Sequence, residues 1–154
     1  MAAHSAGLLV YRDGPDGIEV FLVHPGGPFW ARKDDGAWSI PKGEYGADED
    51  PLAAARREFA EETGQRPRDG EVLDLGEVRQ RGGKVVRAFA VRGEVDAAAL
   101  VSNTVEIQWP PRSGQMREFP EVDRGDWFGL ARAAEKINAA QAEFLGRLAA
   151  AVDS

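Results

Sequence analysis

The stretch Pro41–Gly64, PKGEYGADEDPLAAARREFAEETG, packs seven acidic residues into twenty-four and closes on Glu58-Phe59-Ala60-Glu61-Glu62. Its second half reads as a helix. Asp50 is a favoured N-cap, Pro51 suits the first helical position, and Gly64 suits the left-handed residue that ends a helix. The predicted helix therefore runs Pro51–Thr63. At 100° per residue, Glu61 lies at about −60° and Glu62 at about +40° from Glu58, so three carboxylates share an arc roughly 100° wide. Leu52, Ala55, Phe59 and Thr63 centre near about +100° and give the helix a side for the core. Arg57 sits on the other flank of the acids. Like charges at this spacing repel, and a glutamate-rich helix face is ordinarily a solvated one. A ledge of carboxylate oxygens beside a packed face is also what hard cations such as Mg²⁺ or Mn²⁺ bind.

The spacing of the whole stretch separates these readings. Gly43, five residues, Glu49, seven residues, then Arg57-Glu58-Phe59-Ala60-Glu61-Glu62-Thr63-Gly64 reproduces the pattern G-x5-E-x7-R-E-U-x-E-E-x-G-U, where U is apolar. All seven fixed positions match, a coincidence expected by chance in roughly one such sequence per 10⁵. The chain thus resembles the Nudix hydrolases. One position departs from the pattern: Gln65 stands where the last apolar residue belongs. It follows the helix end, so a local packing change is expected there, with no loss of chemistry.

The resemblance implies an α+β Nudix fold, a mixed β-sheet sandwiched between α-helices, with residues 1–154 forming one domain. It implies hydrolysis of a diphosphate linkage in a nucleoside diphosphate joined to another group, with Mg²⁺, or Mn²⁺, as cofactor. Glu58, Glu61 and Glu62 become the metal ligands, with Glu49 returning to the same site through the loop. Arg57 becomes the residue that orients the acids, and Gly43 the point of close backbone approach. Lys42 is a candidate substrate contact. Glu118 and Glu121, beyond the motif, are candidates for an additional ligand or general base. Pro41-Lys42-Gly43 resembles the dinucleoside-polyphosphate branch more than branches with Pro-Gly-Gly, so the substrate expectation leans to a dinucleoside polyphosphate or a nucleoside triphosphate. The alternative is a catalytically silent Nudix-like module that binds a nucleotide without turning it over.

Working outward, Ser5–Arg12 and Ile18–His24 read as strands around the turn chemistry of residues 13–17, and Pro25–Gly36 reads as a surface loop. Val72–Gln80 and Lys84–Arg92 flank Gly82-Gly83 as a hairpin. Val101–Trp109 reads as a strand, residues 110–120 as a loop, and Trp127-Phe128 as a short apolar strand or turn. Ala131–Val152 reads as a helical tail with Ile137, Ala140, Phe144 and Leu148 at core spacing. His4 and His24 lack paired ligands and read as structural or surface residues. Arg79, Arg81, Lys84 and Arg87 read as a solvated strand edge. Trp30, Trp38 and Trp109 are open between packing and stacking on a base.

Composition bounds the partners. The 154 residues carry a net charge of −7 and no cysteine, which excludes a disulfide framework, a thiolate metal site and a thiol nucleophile. An acidic chain is a poor ligand for nucleic-acid backbone, yet it binds an anionic nucleotide when metal cations stand between the two. The amino terminus has no signal-peptide pattern and no run is long enough to span a bilayer, so a cytoplasmic protein without membrane attachment is expected. Oligomeric state leaves no mark in the sequence.

Overall fold

The structure, a computed structural model, describes residues 3–152. Its long strands are β1 (His4–Gly14), β2 (Gly17–Pro25), β4 (Val72–Arg79), β5 (Val85–Arg92) and β8 (Val122–Gly129); β3 (Lys42–Glu44) is short. These six form one sheet in the order β4-β5-β1-β2-β8, with β3 pairing β1 off that path. The β1–β5 pair is parallel and the other pairs antiparallel, so the sheet is mixed. Alternation along β1 sends Ala6, Leu8 and Val10 to one face and Leu9 and Tyr11 to the other, as a period of two requires. The first face packs on helix α1 (Pro51–Thr63) through Ala54, Ala55 and Phe59. The second packs on α2 (Leu130–Lys136) and α3 (Glu143–Val152) through Ala133, Phe144 and Leu148. A sheet between helical layers is the α+β sandwich that the resemblance implied.

β1 and β2 pair only near their shared turn, from Tyr11↔Val20 to Gly14↔Gly17. Beyond it they diverge, and the segment leading into β3 fills the fork. Ser5, Ala6 and Gly7 pair Glu44, Gly43 and Lys42, while Val23 bridges Ser39. The fork holds the acidic helix against the strand that carries Lys42 and Gly43.

The segment 104–120 is a two-stranded ribbon of β6 (Thr104–Gln108) and β7 (Met116–Pro120), not a strand followed by a loop. β6 alternates Val105 and Ile107 with polar residues, while β7 is mostly exposed and lacks that alternation, so cross-strand pairing holds it. Residues 109–115 are the ribbon's turn, tied by Trp109 N–H to the Gln115 carbonyl at 2.9 Å and by Arg112 N–H to Gln108 Oε1 at 3.1 Å. Trp127 and Phe128 belong to an eight-residue strand rather than a short piece. The carboxy-terminal helix is broken. The chain turns extended at Ile137, Asn138 Oδ1 caps a single 3₁₀ turn at 2.9 Å from Ala140 N, and α3 starts at Glu143. Ile137, Phe144 and Leu148 are buried as expected; Ala140 is only partly so. No helix among the described residues is long and apolar enough to cross a membrane.

Candidate active site

α1 is bounded as its caps require. Asp50 Oδ2 accepts from Ala53 N at 3.0 Å, Pro51 opens the helix, and Gly64 ends it at φ 74° with its N–H donating to the Ala60 carbonyl. Two carbonyls of the last turn, on Glu61 and Thr63, accept from Asn103 N (2.8 Å) and Val101 N (2.9 Å), which satisfies groups that a helix end leaves open. Gln65 has a specific task in place of apolar packing. Its Nε2 donates to the Asp96 carbonyl at 2.8 Å and its Oε1 accepts from Asp96 N at 2.9 Å. The expected local change is thus a two-bond clamp on a neighbouring backbone.

The acidic ledge divides by burial. Glu61 is exposed, whereas Glu58 and Glu62 are buried. Gly43 explains how Glu58 fits. A Cβ at Gly43 would lie 2.1 Å from Glu58 Cδ and 2.2 and 2.4 Å from its two oxygens, so only a residue without a side chain admits that carboxylate. Arg57 grips the rest. Its Nε and Nη2 donate to Glu49 Oε2 and Oε1 at 2.9 and 2.8 Å, a bidentate fork, while Nη1 reaches Glu58 at 2.9 Å and Glu61 at 3.3 Å. Hydrogen bonds from Arg57 hold the Glu49 carboxyl below its usual range, and the same bonds, Glu49 first, raise the guanidinium.

The inner side of the ledge has no such match. Burial first, then the charges of Glu121 and Glu58, push the Glu62 carboxyl up to about 9, opposed only by Lys42. Burial, then Glu61, also raises Glu58. Burial lowers the Lys42 ammonium, with Glu62 opposing. Two buried carboxylates with a third beside them want positive charge that Lys42 alone does not supply. Among the described residues no three acidic or histidine side chains stand in a ready-made metal-holding geometry; Arg57 draws Glu58 and Glu61 to its own edge. The donor set nevertheless fits a hard cation: it is all oxygen, crowded and partly desolvated.

Beside Glu62 a cavity of about 220 Å³ opens in the fork of β1 and β2, with Lys42 and Glu121 in its wall. Glu121 stands at the corner between β7 and β8, fixed through its own backbone to Asn103 and Gly26. Glu118 is not brought to the site: it projects from the exposed ribbon and accepts from Thr104 Oγ1. Trp30 lines the cavity, half exposed. Trp38 is buried and donates to Asp34 Oδ1 at 2.8 Å, and Trp109 packs edge-on against Phe29 on the ribbon. His24 is a buried structural residue, its Nδ1 at 2.9 Å from Asp123 Oδ1 and its Nε2 at 2.6 Å from the Lys33 carbonyl. Arg87 is engaged with Asp74 across the β4–β5 pair. The sequence reading missed Ser39, Gln80, Asn138 and Gln141 in the cavity wall. Gln141 is wholly buried and its Oε1 accepts from Ile40 N at 3.1 Å. A hint existed in the helix-breaking Asn138, which interrupts the tail and turns Gln141 inward.

The match to the family model described as NUDIX domain covers residues 1–148. The chain belongs to that family. This Nudix chain is accordingly a hydrolase acting on phosphoric anhydride bonds. Among solved structures, a C. elegans Ap4A hydrolase binary complex is similar at TM-score 0.66 and 20% identity, covering 97% of this chain and 98% of that one. The NUDIX domain of Shewanella oneidensis NrtR complexed with ADP ribose is similar at TM-score 0.66 and 17% identity, covering 99% and 89%. A MutT protein from Methanosarcina mazei Go1 is similar at TM-score 0.61 and 20% identity, covering 99% and 96%. At these identities the likeness speaks to the fold. No curated protein sequence matches the chain.

Proposed function

We propose that the chain is a single-domain, Mg²⁺-dependent pyrophosphohydrolase that cleaves a diphosphate linkage in a nucleoside diphosphate joined to another moiety, with dinucleoside polyphosphates or nucleoside triphosphates as the preferred class. The observation that supports this reading is the crowding of acids on the inner face of α1, where Glu58 and Glu62 are buried and Glu62 shares a cavity with Glu121 and Lys42. Glu58, Glu61 and Glu62 would hold the cation, with Glu49 joining them. When bound, Mg²⁺ offsets the diphosphate charge, polarises the attacked phosphorus and lowers the pKa of an attacking water.

The protein's own part is positioning. Arg57 fixes Glu49 bidentately and aligns Glu58 and Glu61 through one nitrogen, limiting their rotamers before substrate arrives. Gly43 gives Glu58 its room. Lys42 places an ammonium in the cavity beside Glu62, where it would meet a substrate phosphate oxygen. Glu121, which lines the same cavity as Glu62, would serve as the additional ligand or as the base for the attacking water, in preference to Glu118 on the exposed ribbon.

The test is a substrate panel of nucleoside triphosphates, sugar nucleotides, dinucleotides and dinucleoside polyphosphates, with products identified by mass in Mg²⁺ and in chelator. Metal-dependent products split at the anhydride are expected. Ligand-induced thermal stabilisation with no product from any member would refute turnover and leave a binding module.

A further inference from the structure

A second cavity, of about 550 Å³, lies on the far side of α1 from Lys42 and Glu62. That volume falls within the roughly 300–1,000 Å³ of small-molecule sites. Its floor is apolar: Leu8 and Val91 from the sheet and Ala53 from the first turn of α1. Arginines line it as well: Arg56 on the helix, the exposed Arg66 and Arg68 on the segment that follows Gly64, and Arg57.

Three of these four arginines are not accounted for by strong internal pairing. Arg57 is matched by its three glutamates. Arg56 makes a loose contact of 3.6 Å with Asp69, itself highly exposed, a pair of little worth in water. Among the described residues Arg66 and Arg68 have no ion pair or side-chain hydrogen bond. Apart from Arg57, the lining of the cavity holds three arginines against one acid, Asp69, in a chain whose net charge is −7. Guanidinium forks match tetrahedral oxyanions geometrically as well as by charge. Three of them lining one cavity with apolar residues suit a small molecule with a phosphate at one end and an uncharged body at the other.

We infer that the Arg56–Arg66–Arg68 cavity binds a phosphate monoester of nucleotide size, at a site separate from the carboxylate ledge. The phosphate lies among the three guanidinium groups and displaces Asp69 from Arg56. The organic body rests on Ala53 and the sheet floor. This site needs no metal, because its charge is already opposite to that of the ligand. The inference stands independently of the hydrolytic reading.

The experiment is an amide NMR titration of the full chain in chelator, with inorganic phosphate and with AMP as probes; neither contains an anhydride bond to be cleaved. Saturable shifts at Ala53, Arg56, Arg66, Arg68 and Val91 are expected, with AMP binding more tightly than phosphate through its added floor contact. In the R66A/R68A variant the AMP dissociation constant should rise by at least about ten-fold. The amide spectrum of that variant away from the cavity should match that of the unchanged chain, which shows that it folds, since both side chains are exposed and unpaired. Linear, unsaturable shifts, shifts confined to the cavity beside Lys42 and Glu62, or equal affinity in R66A/R68A would overturn the proposal.

Discussion

Replacing Gly43 with Ala tests the placement of Glu58 with one methyl group. Its backbone lies outside the left-handed region, so alanine adopts it freely and the effect is steric alone. The added carbon would stand 2.1 Å from Glu58 Cδ, whereas carbon atoms pack at about 3.5 Å or more. The carboxylate must retreat by roughly 1.4 Å, the difference between those distances. It is the end of a flexible side chain, so the fold yields cheaply. The cost is the weakened contact with Arg57, which is partly exposed and worth about 1 kcal/mol at most. That corresponds to a melting shift of about 2–4 °C for a chain of this size. Catalysis has no such slack, because a misplacement of about 1 Å costs on the order of 100-fold in rate. The assay is Mg²⁺-dependent hydrolysis of the best substrate of the panel, with the half-saturating Mg²⁺ concentration read beside calorimetric melting. Wild-type turnover and wild-type Mg²⁺ dependence in a folded G43A protein would refute the reasoning.

Glu62→Gln should lower turnover by orders of magnitude. In metal-free buffer it should also remove a pH dependence of stability. With its folded-state pKa raised to about 9, Glu62 contributes stability that is full below its unfolded value and lost as pH rises through about 9; calorimetry across that window should show the slope flatten in the variant. For the same reason Mg²⁺ binding at neutral pH should release a proton and tighten as pH rises toward 9, read by calorimetry in buffers of different ionisation enthalpy. Phe59→Ala, at a fully buried side chain, should cost about 3–5 kcal/mol in chemical denaturation, and the partly buried Leu52→Ala less. Gln65→Leu restores the apolar residue of the motif but deletes both bonds to Asp96; about 1–2 kcal/mol of stability should be lost with hydrolysis intact.

What could be read in advance follows from where the constraints lie. α1 was legible to the residue because its signals are local: an N-cap, a proline, a glycine stop and a face of period 3.6. The buried strands β1, β2 and β5 were legible because burial of both faces leaves short apolar runs bounded by turn residues. Of the ribbon, β6 falls within the strand expected at Val101–Trp109, but β7 reads as loop, since it is exposed and held by cross-strand bonds. The break at Ile137-Asn138 was masked by the alanine-rich tail around it, and only packing against Trp38 makes the chain extended there. At the site, the motif spacing pointed to Glu49, Arg57, Glu58, Glu61 and Glu62; Arg57 holds Glu49, Glu58 and Glu61, while Glu62 faces the cavity with Lys42 and Glu121. The spacing could not choose between Glu118 and Glu121, which differ by three residues but stand on a ribbon and at a corner. Gln141 reaches the cavity through tertiary folding alone, and no spacing rule anticipates it.

The central claim is that the inner face of α1 gathers a divalent cation onto the diphosphate to be cleaved. Anomalous diffraction from crystals holding Mn²⁺ and a non-hydrolysable diphosphate analogue measures this directly. The account predicts an anomalous peak coordinated by Glu58 and Glu62, with the analogue's phosphates bridging it toward Lys42. A metal peak away from those carboxylates, with the analogue bound elsewhere, would contradict it.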